Sequence, residues 1–234
     1  MQITNPNFKI DPILQDERGF NADLGIRGQV DNKLYFDASI FTLFYNNRIG
    51  TTLQVDTNLF RPFQYRTNVS QSRTLGFEMM VEADWIKIFF KNSSNKKFST
   101  FVNFSYNNAK YINSDEPAFE NKYVELVPPV VLRTGCTFGI NKFSISFQYS
   151  YTDEHFSDAT NATIATPNAV VGIIPSYNTM DISGKYSYKK IQIEMGINNL
   201  TNVSYFTRRA SGYPGPGILP SAPRNFYIGL QIKL

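Results

Sequence analysis

Phe143-Ser-Ile-Ser-Phe-Gln-Tyr-Ser-Tyr151 places an apolar or aromatic residue at every odd position and Ser or Gln at every even one. Successive side chains on a β-strand point to opposite faces, so this run presents one greasy face and one wet face. Ile191-Gln-Ile-Glu-Met-Gly-Ile-Asn198 repeats the pattern, with Ile191, Ile193, Met195 and Ile197 set against Gln192, Glu194, Gly196 and Asn198. Working outward, Phe20, Ala22, Leu24, Ile26 and Val30 alternate with Asn21, Asp23, Arg27 and Gln29, and the same period runs from Leu75 to Trp85 and from Leu132 to Ile140. Period two predicts about nine strands, at 20–30, 34–50, 65–88, 98–112, 126–140, 143–154, 176–188, 191–203 and 224–234. Helical periodicity holds nowhere for more than a turn.

The connections alternate in length. Asp31-Asn-Lys33, Asn141-Lys142 and Tyr188-Lys-Lys190 are short polar turns, with a slightly longer one over 91–97, and they suit hairpins. Between them lie longer segments at 51–64, 113–125, 155–175 and 204–223. A meander of short and long connections is what an outer-membrane barrel gives, with short periplasmic turns and long extracellular loops. A soluble sandwich also tolerates uneven loops, but its strands average about five or six residues. Several runs here alternate for ten or more, and one carries Glu78, Glu82 and Asp84 along a single face opposite apolar residues. The reading is an all-β, antiparallel transmembrane β-barrel meander. A surface-exposed structural or adhesive β-domain is the alternative.

Composition narrows the function classes. The aromatic share is 15%, carried by 14 Tyr and 20 Phe, yet mean hydropathy is only -0.28 because Asn, Ser, Thr and Gln dilute the apolar residues. No apolar run approaches the roughly 20 residues of a transmembrane helix, but barrel strands need only about half that number. A net charge of +4, scattered along the chain, gives no case for nucleic acid. Cys136 is the single cysteine, which excludes an internal disulfide and any multi-cysteine metal site, and it falls on the apolar face. Residues 1–6 are polar at once and do not read as a signal peptide.

The final strand, Tyr227-Ile-Gly-Leu-Gln-Ile-Lys-Leu234, alternates to the last residue and suits a closing strand. An uncovered edge this apolar invites aggregation in water. With its end in the periplasm, the short turns face the periplasm. The long segments face outside, with 1–19 as an incoming extracellular loop and 20–234 as barrel wall. Aromatic residues near strand ends, Trp85, Tyr106, Tyr149, Tyr186 and Phe226 among them, then form interfacial girdles.

Several phrases carry a resemblance. Ile197-Asn-Asn-Leu-Thr-Asn202, Tyr205-Phe-Thr-Arg-Arg209, Gly212-Tyr-Pro-Gly-Pro-Gly-Ile-Leu-Pro220 and Arg224-Asn-Phe-Tyr227 resemble the end of a TonB-dependent outer-membrane receptor, nearest the iron(III) dicitrate branch of Bacteroidetes-type bacteria. Phe44 to Gly50, Tyr65 to Glu78 and Val127 to Gly135 resemble other strands of the family. Tyr227, Gly229, Ile232 and Leu234 resemble its C-terminal signal for the barrel-assembly machinery, with Leu in place of the more usual terminal Phe. The resemblance implies a Gram-negative outer membrane, a barrel of about 22 strands enclosing an N-terminal plug, and energy supplied through a TonB-type complex. It implies a transporter of a ferric chelate rather than an enzyme, with no cofactor. About nine strands cannot enclose a plug, so this chain is expected to be the C-terminal part of a longer receptor. A small stand-alone barrel is the runner-up.

Chemistry-bearing residues are few. His155 lies beside Asp153 and Glu154, and the run reads as a solvated charge cluster before it reads as a metal site. No nucleophile–histidine arrangement supports a hydrolase. Basic residues near the outer strand ends are the better signal. Arg48, Arg61, Arg66, Arg208 and Arg209, with Tyr205 and Tyr213, offer guanidinium forks and phenols for a chelate bearing several carboxylates. The bland reading pairs them with acids such as Asp56 and Glu116, or sets them against anionic lipopolysaccharide.

Overall fold

The alternation folds as it reads. The computed structural model describes residues 7–90, 95–114, 118–212 and 215–233. Its elements are β1 (Phe8–Ile10), β2 (Arg18–Val30), β3 (Leu34–Asp56), β4 (Arg61–Asp84), α1 (Trp85–Phe89), β5 (Lys96–Ile112), β6 (Val130–Ile140), β7 (Phe143–Thr152), β8 (His155–Phe156), β9 (Ile173–Ile174), β10 (Tyr177–Tyr188), β11 (Ile191–Asn198), β12 (Phe206–Ala210), β13 (Gly217–Pro220) and β14 (Asn225–Ile232). One antiparallel sheet runs in the order β14-β11-β10-β7-β6-β5-β4-β3-β2. Among the described residues this sheet does not close, and β2 and β14 are its two edges.

Register fixes a single lipid-type face across all nine strands. Leu24 pairs with Ile40, Ile40 with Phe77, Phe77 with Tyr106, and Tyr106 with Val130. Farther along, Phe138 pairs with Ile145, Ile145 with Gly184, Gly184 with Met195, and Met195 with Ile228. Many of these side chains are bare. Leu24 is 73% exposed and Ile228 77%, which in water would cost what burial normally gains. The opposite face carries Asp23, Asp37, Glu78, Asn103, Arg133, Gln148, Asp181 and Glu194, and Arg27 Nε donates to Asp37 Oδ2 across β2 and β3 at 2.7 Å. On this wet face an aromatic ring lies over a glycine of the next strand. A Cβ at Gly76 falls 2.2 Å from the Phe41 ring, at Gly135 2.7 Å from Phe101, and at Gly196 2.5 Å from Tyr227.

The short turns stand where the spacing predicts. Asp31, Asn32, Asn141 and Lys189 take positive φ, the conformation that tight hairpins demand. Strand ends differ in four places. The strand expected over 65–88 stops at Asp84, whose carboxylate accepts a hydrogen bond from the Lys87 N–H and caps the one-turn helix α1. The strand expected over 191–203 stops at Asn198, because Asn199 takes positive φ. The strand expected from 126 begins at Val130, after Pro128 and Pro129, which have no N–H to give a ladder. The expected long segment 51–64 is mostly strand: β3 and β4 run on and leave only residues 57–60 as the turn.

β3 and β4 have 23 and 24 residues, about twice the length needed to cross a membrane, so their hairpin stands well beyond the lipid face. A bulge between Tyr45 and Arg48 marks the change, and Asn47 there has φ 51°. Beyond the bulge, β1 adds to the free edge of β4 in parallel, Phe8 opposite Gln64 and Ile10 opposite Arg66. The buried core lies at this end too, where Val69, Ala109, Tyr111, Phe119, Val124 and Ala159 pack together.

Candidate functional site

The loop end is built by segments that reach across one another. Residues 118–129 fold back onto β5, with the Val124 N–H donating to the Ala109 carbonyl and the Tyr111 N–H to the Lys122 carbonyl. Residues 153–176 carry the small β8–β9 ladder and dock on the tall hairpin. The Ala159 N–H donates to the Thr51 carbonyl, and Gln64 Nε2 to the Val170 carbonyl at 2.8 Å. Residues 199–224 carry β12 and β13 and join the same assembly through Arg209.

Arg209 is a stitch. Its Nη1 donates to the Ala169 carbonyl at 2.9 Å and its Nη2 to the Ile173 carbonyl at 2.7 Å. Burial pulls this guanidinium below its ordinary pKa, and among the described residues no acid pairs with it. Arg48 is held likewise: Nη1 meets both Glu17 oxygens at 2.8 and 2.9 Å and the group lies over the Tyr45 ring. Glu17 Oε1 also accepts from the Ile49 N–H, so this ion pair pins the chain just before it enters β2. Tyr205 stacks on Tyr177 with ring centroids 4.5 Å apart.

Arg61, Arg66 and Arg208 are exposed, and among the described residues their side chains have no acidic partner. Asp56, which the sequence offered as a partner for them, takes Lys9 at 3.0 Å instead. Tyr213 and Glu116 lie outside the described residues, as does Leu234. Tyr227, Gly229 and Ile232 sit in β14 opposite Gly196, Glu194 and Ile191.

His155 corrects an expectation. It is buried, 8% exposed, with Nδ1 against the Asp153 carbonyl at 3.0 Å, because β8 carries it into the docked loop rather than out to solvent. Among the described residues no group of three or more His, Cys, Asp or Glu could hold a metal ion.

One cleft at this end was not legible in the sequence. About 530 Å³ in volume, it is lined by Thr52, Gln54, Tyr65, Thr67, Asn113 and Phe119 among others, all uncharged. Thr52 pairs with Tyr65 across the tall hairpin, which supplies most of the lining, while Phe119 comes from the loop after β5. None of the five arginines lines it.

Open sheet, lipid face and loop assembly together have a known counterpart. The profile described as TonB dependent receptor-like, beta-barrel, matches residues 2–200. The chain belongs to the TonB-dependent receptor β-barrel family. Receptors of this family are transporters of the Gram-negative outer membrane, not enzymes, and that membrane supplies the apolar phase which the bare face requires. Solved structures agree in fold. The unliganded ferric citrate transporter FecA superposes with TM-score 0.73 at 18% identity over 90% of this chain and 30% of its own. The ferric yersiniabactin uptake receptor FyuA from Yersinia pestis gives 0.68 at 16% identity over 92% and 30%, and the copper transporter OprC 0.67 at 16% over 92% and 31%. The chain thus spans under a third of the length of these receptors. No curated protein matches its sequence.

Proposed function

We propose that this TonB-dependent receptor chain supplies the C-terminal wall and part of the extracellular loop surface of an outer-membrane receptor for a ferric chelate, iron(III) dicitrate or another siderophore. The strands missing from the barrel, and a plug domain, would come from the N-terminal part of the same receptor. Energy would come through a TonB-type complex acting on that plug. The loop end faces outside, in contact with lipopolysaccharide at its rim, and β14, with Tyr227, Gly229 and Ile232, together with the following Leu234 in sequence, is the signal read by the barrel-assembly machinery.

The observation that carries the reading is the trio Arg61, Arg66 and Arg208, exposed at the loop end and without acidic partners among the described residues. Guanidinium groups free of protein carboxylates are available to the carboxylates of a citrate-type chelate, and such charged hydrogen bonds are strong and geometrically selective. The likeness to ferric-chelate receptors supports the same class of cargo. The chemistry is non-covalent recognition followed by passage.

Calorimetric titration of the complete receptor with ferric dicitrate tests it. Replacing Arg61, Arg66 and Arg208 together by Ala is expected to weaken binding at least about tenfold, each lost charged partner being worth roughly 1.5–3 kcal/mol. Unchanged affinity, with surface expression confirmed, overturns the assignment and leaves these arginines as lipopolysaccharide contacts.

A further inference from the structure

From β5 to β14 the turn end of the sheet is unlike the loop end in its charge, whereas toward β2 and β4 it carries Asp31 and Asp84, paired with Lys33 and Lys87. Lys96, Lys97, Lys142, Lys189, Lys190 and Lys233 all lie there, all exposed and none in an ion pair among the described residues. No Asp or Glu occurs at 95–97, 139–143, 187–191 or 232–233. The arginines and most of the acids sit elsewhere, and Arg27 and Arg48 are paired there with Asp37 and Glu17.

These lysines belong to one continuous rim. The Asn141 N–H donates to the Asn95 carbonyl, the Ser187 N–H to the Lys142 carbonyl, and the Lys233 N–H to the Lys190 carbonyl. Each turn is thereby tied to the next, and the rim follows β5, β6, β7, β10, β11 and β14 in sheet order. It also borders the lipid face directly: Phe138, Ile140, Phe143, Tyr188, Ile191 and Ile232 are exposed next to it. Lys142 Nζ stands 4.7 Å and Lys189 Nζ 5.5 Å from the Tyr188 ring centroid, so both ammonium groups sit at an aromatic anchor.

We infer that this rim binds the headgroups of anionic phospholipids in the membrane leaflet reached by the turns. Lysine stems can lie along the apolar belt while their ammonium groups meet phosphate oxygens. Unbroken continuity with the lipid-facing side chains favours a lipid over an acidic protein, since whatever occupies the rim also borders hydrocarbon. Three turns and the end of β14, held in register, present their charges together, and a cluster of lysines near an anionic surface adds attraction with each charge.

Electron spin resonance of lipids around the intact, reconstituted protein tests the inference. The probes are spin-labelled phosphatidylglycerol and phosphatidylcholine in dioleoylphosphatidylcholine vesicles. The immobilised fraction is expected to favour phosphatidylglycerol at least about twofold, and exchanging Lys142, Lys189, Lys190 and Lys233 together for Gln should return the ratio to parity. Exchanging the same four for Arg should keep it. In salt of about 1 M, where the screening length falls to about 3 Å, the wild-type preference should shrink, a reading that needs no variant to fold. Equal immobilisation of both lipids by the wild type at low salt overturns the inference and leaves the rim to an acidic protein partner. An unchanged preference in the folded Gln variant overturns it as well.

Discussion

Tyr111 donates its phenolic hydrogen to Glu125 Oε2 at 2.5 Å, at the point where β5 leaves the lipid-facing part of the sheet. Glu125 Oε1 meanwhile accepts from the Thr51 N–H at 2.7 Å, so one carboxyl group ties the loop after β5 to the tall hairpin. Tyr111 is completely buried. The fold of the loop end hangs on this junction, and its absence of slack is measurable.

Gly50 backs the pair. A Cβ there falls 2.5 Å from Val69 Cγ2, 2.7 Å from Tyr111 Oη and 3.0 Å from Glu125 Oε1. Gly50→Ala is expected to cost about 1–3 kcal/mol by overpacking. Hydrogen exchange should rise over residues 118–129 and stay unchanged in β6 and β7. Equal protection in both variants contradicts the packing described.

Glu125 also sets a pH dependence. Burial raises its carboxyl above the ordinary range, against the hydrogen bond from Tyr111, and burial raises Asp158 in the neighbouring loop in the same direction. Between the ordinary and the raised value the folded state holds a proton that the unfolded state has lost, so stability falls as pH rises. The contribution is complete below the ordinary glutamate value of 4.5 and is lost as pH climbs through the raised one. Exchange protection of the loop amides, corrected for intrinsic rate, should decline across that window, and Glu125→Gln should flatten the decline.

Phe147 and Gln148 are neighbours on β7 that face opposite phases. Phe147 pairs with Cys136 and Ile182 on the apolar face, Gln148 with Gly135 and Asp181 on the wet one. At mid-membrane depth a lysine on the lipid face costs about 2–4 kcal/mol. Phe147→Lys should therefore impair folding into liposomes, as read by heat-modifiable mobility, far more than Gln148→Lys. Equal folding contradicts the face assignment.

Arg209 and Arg208 are adjacent but should separate in experiment. Arg209→Ala removes charged hydrogen bonds to two loop carbonyls, worth about 1.5–3 kcal/mol. Limited proteolysis should then cut within 153–176 faster, whereas Arg208→Ala should leave the cleavage rate as it was.

Nine strands were legible because a lipid face tolerates no polar interruption, and the resulting alternation survives in a single sequence. The tall part of the β3–β4 hairpin was not, for the same reason inverted: Thr51, Thr52, Gln54 and Gln64 meet no lipid, so they keep no period and read as loop. One residue hides α1, since the Asp84 cap alone turns the end of an alternating run into a helical turn. The arginines were found by type, but their roles come from distant chain. Glu17 lies 31 residues from Arg48, and the Ala169 carbonyl 40 from Arg209. His155 misled because burial by a docking loop leaves no mark on the three residues Asp153, Glu154 and His155.

The central claim is that a single apolar face crosses the whole sheet and meets lipid. Nitroxides placed one at a time from Phe143 to Tyr151 in the complete receptor, reconstituted in vesicles, measure it through collision with oxygen and with a water-soluble nickel chelate. Oxygen accessibility should peak at Phe143, Ile145, Phe147, Tyr149 and Tyr151 and nickel accessibility at Ser144, Ser146, Gln148 and Ser150. Loss of the two-residue period, or the same period in the opposite phase, contradicts the account.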